Sequence, residues 1–130
     1  MYRFVAALLL VVTATVSASA QSLPVPSYWT NQRGSEMKLY NIDPQGNFDG
    51  IYINHAAGYS CQNMPYALAG HASGANVVFA VVWNNGIQNC NSKTVWRGRV
   101  TGKTIVTTWV LSTYPGGAPI GKGSDTFQEQ

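Results

Sequence analysis

The chain predicts an all-β fold, an eight-stranded antiparallel up-and-down β-barrel formed by a single domain. Three observations lead there. Apolar and polar residues alternate along most of the chain, and no helical period appears beyond the N-terminal segment. Thirteen Gly and six Pro recur at short intervals, as turns between short strands require. Seven Tyr and four Trp add aromatic residues that favour strands. With 130 residues, 45% apolar and 10% charged, the chain is too apolar for disorder and too short for two cores.

The strands follow in order. Tyr28 to Gln32 is a short first strand, and Arg33-Gly34-Ser35 turns. Glu36 to Ile42 alternates, with Met37, Leu39 and the tip of Asn41 on one face. Asp43 to Asn47 has turn composition, and Phe48 to Asn54 is the third strand. A loop from His55 to Met64 leads to a fourth strand, Pro65 to Ala72. Val77 to Trp83 is the strongest strand, with Val77, Phe79, Val81 and Trp83 on one face. After a polar loop, Asn84 to Asn91, come Lys93 to Val100, a Thr101-Gly102-Lys103 hairpin turn and Thr104 to Leu111. Tyr114 to Pro119 cannot be helix, and Gly123 to Gln128 is the last strand. Eight consecutive antiparallel strands can close on themselves, which removes exposed edges and leaves room for one small ligand. The rival, an immunoglobulin-type sandwich, needs longer Greek-key crossovers than these turns offer.

Residues 1–20 read as a secretory signal peptide, with Arg3, an apolar run from Phe4 to Val12 and Ala18-Ser19-Ala20 as the cleavage site. The run is short for a membrane anchor, so residues 21–130 are expected as a secreted or periplasmic domain, with no membrane partner. The net charge is +3, or +2 without Arg3. Arg97 and Arg99 are isolated, so nucleic acid is not an expected partner. In an exported domain Cys61 and Cys90 have one possible intrachain pairing, a bridge worth about 3 kcal/mol by chain entropy. The alternative is two buried thiols. No metal site is expected, because neither cysteine has a ligand partner at suitable spacing and His55 and His71 do not form a zinc pair. Those histidines read as surface or loop residues.

Trp83, Trp96 and Trp109 lie on consecutive predicted strands or their ends. Taken singly, each reads as core. However, Thr94 and Ser92 share the face of Trp96, and Tyr52 shares one with Asn54. An interior holding both aromatics and unpaired hydroxyls and amides needs a polar ligand to satisfy it.

Seven stretches in order resemble the avidin family, and within it the dimeric, rhizavidin-like branch. They are Trp29 to Ser35, Gly50 to Asn54, Cys61 to Tyr66, Trp83-Asn84-Asn85, Asn89 to Trp96, Thr108 to Leu111 and Gly123 to Phe127. Each alone is weak; together they span Tyr28 to Gln128. The resemblance implies high-affinity, non-catalytic binding of biotin as ligand, with no cofactor. It implies that Asn31, Ser35 and Tyr52 donate to the ureido oxygen, much as an oxyanion hole does. Asp125 would accept one ureido N–H and Asn54 the other, a position that some relatives fill with Ser or Thr. Thr94 would face the sulfur, and Ser92 with the backbone near Ala57 and Gly58 would meet the carboxylate. Trp83, Trp96 and Trp109 would wall the ligand, Phe79 stands where some relatives carry another Trp, and Leu111 would fill the floor. The resemblance also implies a Cys61–Cys90 bridge between the loops after the third and fifth strands.

One departure concerns assembly. Tetrameric avidins cap a neighbour's pocket with a Trp from the segment before the last strand. Ser112 to Lys122 contains none, which points to a homodimer and to the bridge as a partial substitute for the cap. Catalysis is not expected, since no nucleophile–base pair or carboxylate pair stands out. A lipocalin-like carrier is the runner-up, and the polar set weighs against it. Biotin sequestration is the expected purpose.

Overall fold

A computed structural model describes residues 10–14 and 22–130. The leader predicted over residues 1–20 falls largely outside them; Leu10, Val11 and Val12 are exposed. Among the described residues no helix is long and apolar enough to cross a membrane.

The eight strands are β1 (Ser27–Asn31), β2 (Glu36–Ile42), β3 (Asn47–Ile53), β4 (Pro65–Ser73), β5 (Asn76–Asn84), β6 (Asn89–Thr101), β7 (Thr104–Thr113) and β8 (Pro119–Glu129). They pair antiparallel in sequence order, and β8 returns to β1 through Trp29–Glu129, Thr30–Gln128 and Asn31–Phe127. The sheet is a closed barrel, which excludes the sandwich.

Most strand centres fall where alternation places them, and the differences lie at the ends. β6 begins at Asn89 because Asn84 pairs with Asn89 across a bulge after Val82. β8 begins at Pro119, where a second bulge lets Pro119 pair with Ser112. Both starts are polar or Pro-rich and read as loop by composition alone. Asn41 departs from the predicted face. A bulge between Leu39 and Asn41 shifts the register, so Asn41 is exposed and donates to Asp49 on the outer surface at 3.1 Å.

In this topology the β1–β2, β3–β4, β5–β6 and β7–β8 loops all emerge at one end. The other end is packed solid. Trp29, Met37, Leu39, Phe48, Leu68, Phe79, Val100, Ile105 and Phe127 are buried there, and Leu23 and Val25 of the segment before β1 join them. Trp29 is fully buried, and its indole N–H donates to Ser27 Oγ at 2.7 Å. Burial at this end supplies the hydrophobic stabilisation that a domain of this size needs.

Candidate functional site

The loop end of the barrel encloses a cavity of about 410 Å³, within the range of small-molecule sites. Its walls follow from strand register. Trp96 stands opposite Trp109, and Trp109 opposite Gly123. The Trp109 ring lies directly against the Gly123 backbone, where any Cβ would stand 2.5 Å from the ring. Only Gly allows the indole to lie flat against β8 there. Thr94 stands opposite Leu111, and its Oγ accepts the Trp83 indole N–H at 2.8 Å.

The β1–β2 turn brings Asn31 and Ser35 inward together. Gly34 has φ +82°, a conformation that glycine adopts without steric cost. It closes the turn through Gly34 N–H to Asn31 O at 3.0 Å. Asn31 Oδ1 accepts the backbone N–H groups of Arg33 and Ser35, each at 3.0 Å. That locks the amide so that Nδ2 points to Tyr52, donating to its hydroxyl oxygen at 3.2 Å. The Tyr52 hydroxyl has no acceptor for its own proton among the described residues. Burial, then the nearby Asp125 charge, raise its pKa well above the ordinary phenol value, so Tyr52 remains a donor at neutral pH.

Asp125 is buried on β8 opposite Thr107. Its Oδ2 accepts the Trp96 indole N–H at 2.8 Å, and its Oδ1 accepts from Gln32 at 2.9 Å. Asn54 shapes the β3–β4 loop: its Oδ1 accepts Ala56 N–H at 2.9 Å and its Nδ2 donates to Ser60 O at 3.2 Å. Ser35 Oγ accepts the His55 backbone N–H at 3.0 Å, and its own proton is donated only over a long 3.4 Å contact to the same Asn54 oxygen. Ser92 lines the cavity with no hydrogen bond from its hydroxyl among the described residues. Fully enclosed side-chain polar atoms of the described residues are all partnered, so the unused donors face the cavity.

Cys61 and Cys90 are bridged, tying the β3–β4 loop to the start of β6 beside the cavity. No group of three His, Cys, Asp or Glu among the described residues could hold a metal ion.

The sequence profile of the Avidin family matches residues 19–129. The chain belongs to the avidin family. It is 44% identical to afifavidin from Afifella pfennigii over 119 residues, covering 85% of this chain and 73% of that protein. Apo shwanavidin superposes with a TM-score of 0.77 at 39% identity, covering 85% of this chain and 99% of shwanavidin. The rhizavidin–biotin complex superposes with a TM-score of 0.74 at 42% identity, covering 82% and 92%.

Most positions singled out by the avidin resemblance meet in one cavity: Asn31, Ser35, Tyr52, Asn54, Gly58, Trp83, Ser92, Thr94, Trp96, Trp109, Leu111 and Asp125 all line it. Two do not. Phe79 is buried behind the wall, stacked on Trp96 at 5.1 Å and 14°, and so supports the indole. Ala57 is exposed, and its neighbour Ala56 lines the cavity. Sequence reasoning missed Arg33, Tyr59 and Ile120, which line the mouth. Arg33 and Tyr59 sit in loops with no periodicity that would aim a side chain, and Ile120 lies at the start of β8, in a stretch that reads as loop by composition. His55 also has a defined setting. Its Nε2 lies 2.9 Å from Glu36 Oε2 and its Nδ1 2.8 Å from Asn63 Oδ1. Tyr28 donates to the other Glu36 oxygen at 2.6 Å. The hydrogen bond to Glu36, then that to Asn63, raise the His55 pKa, while Tyr28 and then His55 lower that of Glu36.

Proposed function

We propose that this chain binds biotin tightly inside the barrel, without catalysis. The observation that carries the reading is the donor and acceptor pattern at the cavity wall. Asn31, Ser35 and Tyr52 offer N–H and O–H groups beside one another, and Asp125 offers an acceptor. A cyclic urea is the complement, a carbonyl oxygen flanked by N–H groups. The relatives support the choice of urea, since rhizavidin has been crystallised with biotin.

Binding would exchange weak contacts for strong ones. Ser35 would turn its hydroxyl from the 3.4 Å contact with Asn54 to the ureido oxygen. The released lone pair on Asn54 Oδ1 would then accept a ureido N–H, and Asp125 the other. Thr94, already holding the Trp83 indole, would direct its proton at the sulfur. Trp83, Trp96 and Trp109 would sandwich the apolar part, and Ser92 with the Gly58 loop would meet the tail. Donors aimed in advance lose little entropy on binding.

The chain would act after export, with residues 1–20 removed, and would sequester biotin from competing cells. Full restoration of growth by added biotin, in cells inhibited by the protein, checks that purpose; inhibition that persists would refute it. A second copy of the chain is the proposed partner. The outer faces of β5, β6 and β7 align Ala80, Val95 and Val110 in register, and Val106 and Val110 are exposed. Such an apolar stripe suits a dimer interface. Sedimentation of wild type and Val110→Lys tests it: dimer against monomer is expected.

The binding reading is tested by a thermal melt of the oxidised mature chain with and without biotin. A large rise in midpoint is expected, because a ligand far above its dissociation constant stabilises the native state. No rise at saturating biotin would reject biotin as the ligand.

A further inference from the structure

We infer that Arg33 is a specificity-determining residue that favours ligands with an anionic tail, an inference that rests on the biotin reading. Arg33 is the one cationic side chain that lines the cavity among the described residues, and Asp125 the one anionic side chain. An anionic ligand entering beside Asp125 would place two negative charges in a poorly solvated space, a costly arrangement without a counter-charge.

The contacts of Arg33 leave it free for this task. Its Nε is 3.6 Å from Asp125 Oδ1, an ion pair too long for a hydrogen bond. Asp125 does not depend on it, because Gln32 and Trp96 donate to its two oxygens at 2.9 and 2.8 Å. No guanidinium N–H donates a hydrogen bond to any of the described residues. The side chain is 38% exposed, so it stands at the mouth, where a ligand tail would emerge. Tyr59 holds it there, with the guanidinium 6.0 Å from the ring centroid. The same ring meets Trp109 edge-on at 6.2 Å. A planar guanidinium with spare donors matches a carboxylate bidentately.

The inference is that free biotin is preferred over biotin whose carboxyl group has become a neutral amide. Equilibrium binding of biotin and of biotinamide to the mature protein tests it, with wild type, Arg33→Gln and Arg33→Lys. Wild type is expected to favour the acid by about tenfold at low salt. Arg33→Gln is expected to lose that preference by weakening the acid alone, and Arg33→Lys to keep part of it. In wild type the ratio is expected to shrink toward one as salt rises from about 0.01 M to about 1 M. Equal affinities for acid and amide in wild type would overturn the inference and leave the biotin reading standing. So would a Gln variant that weakens both ligands alike. Binding of neither compound to wild type would overturn both.

Discussion

The two ends of this barrel are built from the same eight strands and solve opposite problems. At the packed end the inward positions carry Trp29, Met37, Leu39, Phe48, Ile105 and Phe127, and the one polar side-chain group among them, the Trp29 indole N–H, is already met by Ser27 Oγ. At the loop end the same strands turn Asn31, Tyr52, Thr94 and Asp125 inward beside the tryptophans. The difference can lie within one strand: β1 contributes Trp29 to one end and Asn31 to the other, two residues apart. Stability therefore concentrates where binding does not, and the polar end can keep donors unpaired because the other end holds the fold.

That contrast can be broken by substitution. The largest effect is expected from Phe127→Ala, which empties a fully buried site facing Tyr52 and Phe79. It should cost about 3–5 kcal/mol in denaturant unfolding. A cost below about 1 kcal/mol would mean that the packed end does not carry the fold. Next is the bridge. Replacing Cys61 and Cys90 by Ser should lower stability by roughly 2–4 kcal/mol and speed biotin release, since the bridge fixes loops beside the cavity. An unchanged release rate in a folded variant would remove the bridge from the account of binding.

Tyr52→Phe should weaken biotin binding by about 1–3 kcal/mol. Its effect on stability should be small, because the lost hydroxyl only accepts from Asn31 in the free protein. Calorimetric titration beside a urea melt would separate the two effects, and equal affinity would take Tyr52 out of the binding set.

The smallest effect is electrostatic. His55 has a raised pKa and Glu36 a lowered one. The His55 contribution is complete below its unfolded pKa, near 6.5, and fades as pH rises through the folded value. The Glu36 contribution is present above about 4.5 and fades as pH falls through its depressed value. Both groups are partly exposed, so the gain is at most about 1 kcal/mol. The melting midpoint should drop slightly between about pH 6 and pH 9, and His55→Gln should abolish that drop. A drop that persists in the variant would assign it to another group.

Legibility in the sequence followed the same division. The strands were readable because alternation with period two is imposed by burial on one face, and Val77 to Trp83 displays it fully. Bulges were not readable: nothing in Leu39-Tyr40-Asn41 announces the register shift that turns Asn41 outward. Individual side-chain patterns identified a polar interior, and the family resemblance assigned its members. Loop conformation limited the rest. Arg33 and Tyr59 reach the mouth through turns whose geometry depends on Gly34, the Asn54 hydrogen bonds and the Cys61–Cys90 bridge together. Alternation aimed Phe79 inward correctly but could not tell that it lies behind Trp96 rather than on the cavity wall.

The most direct test of the central claim is a crystal structure of the mature protein grown with biotin. The expected result is one biotin per barrel, with its ureido oxygen within hydrogen-bonding distance of Asn31, Ser35 and Tyr52 and a ureido N–H on Asp125. An empty cavity at saturating biotin, or a ligand whose ureido group points away from these residues, would contradict it.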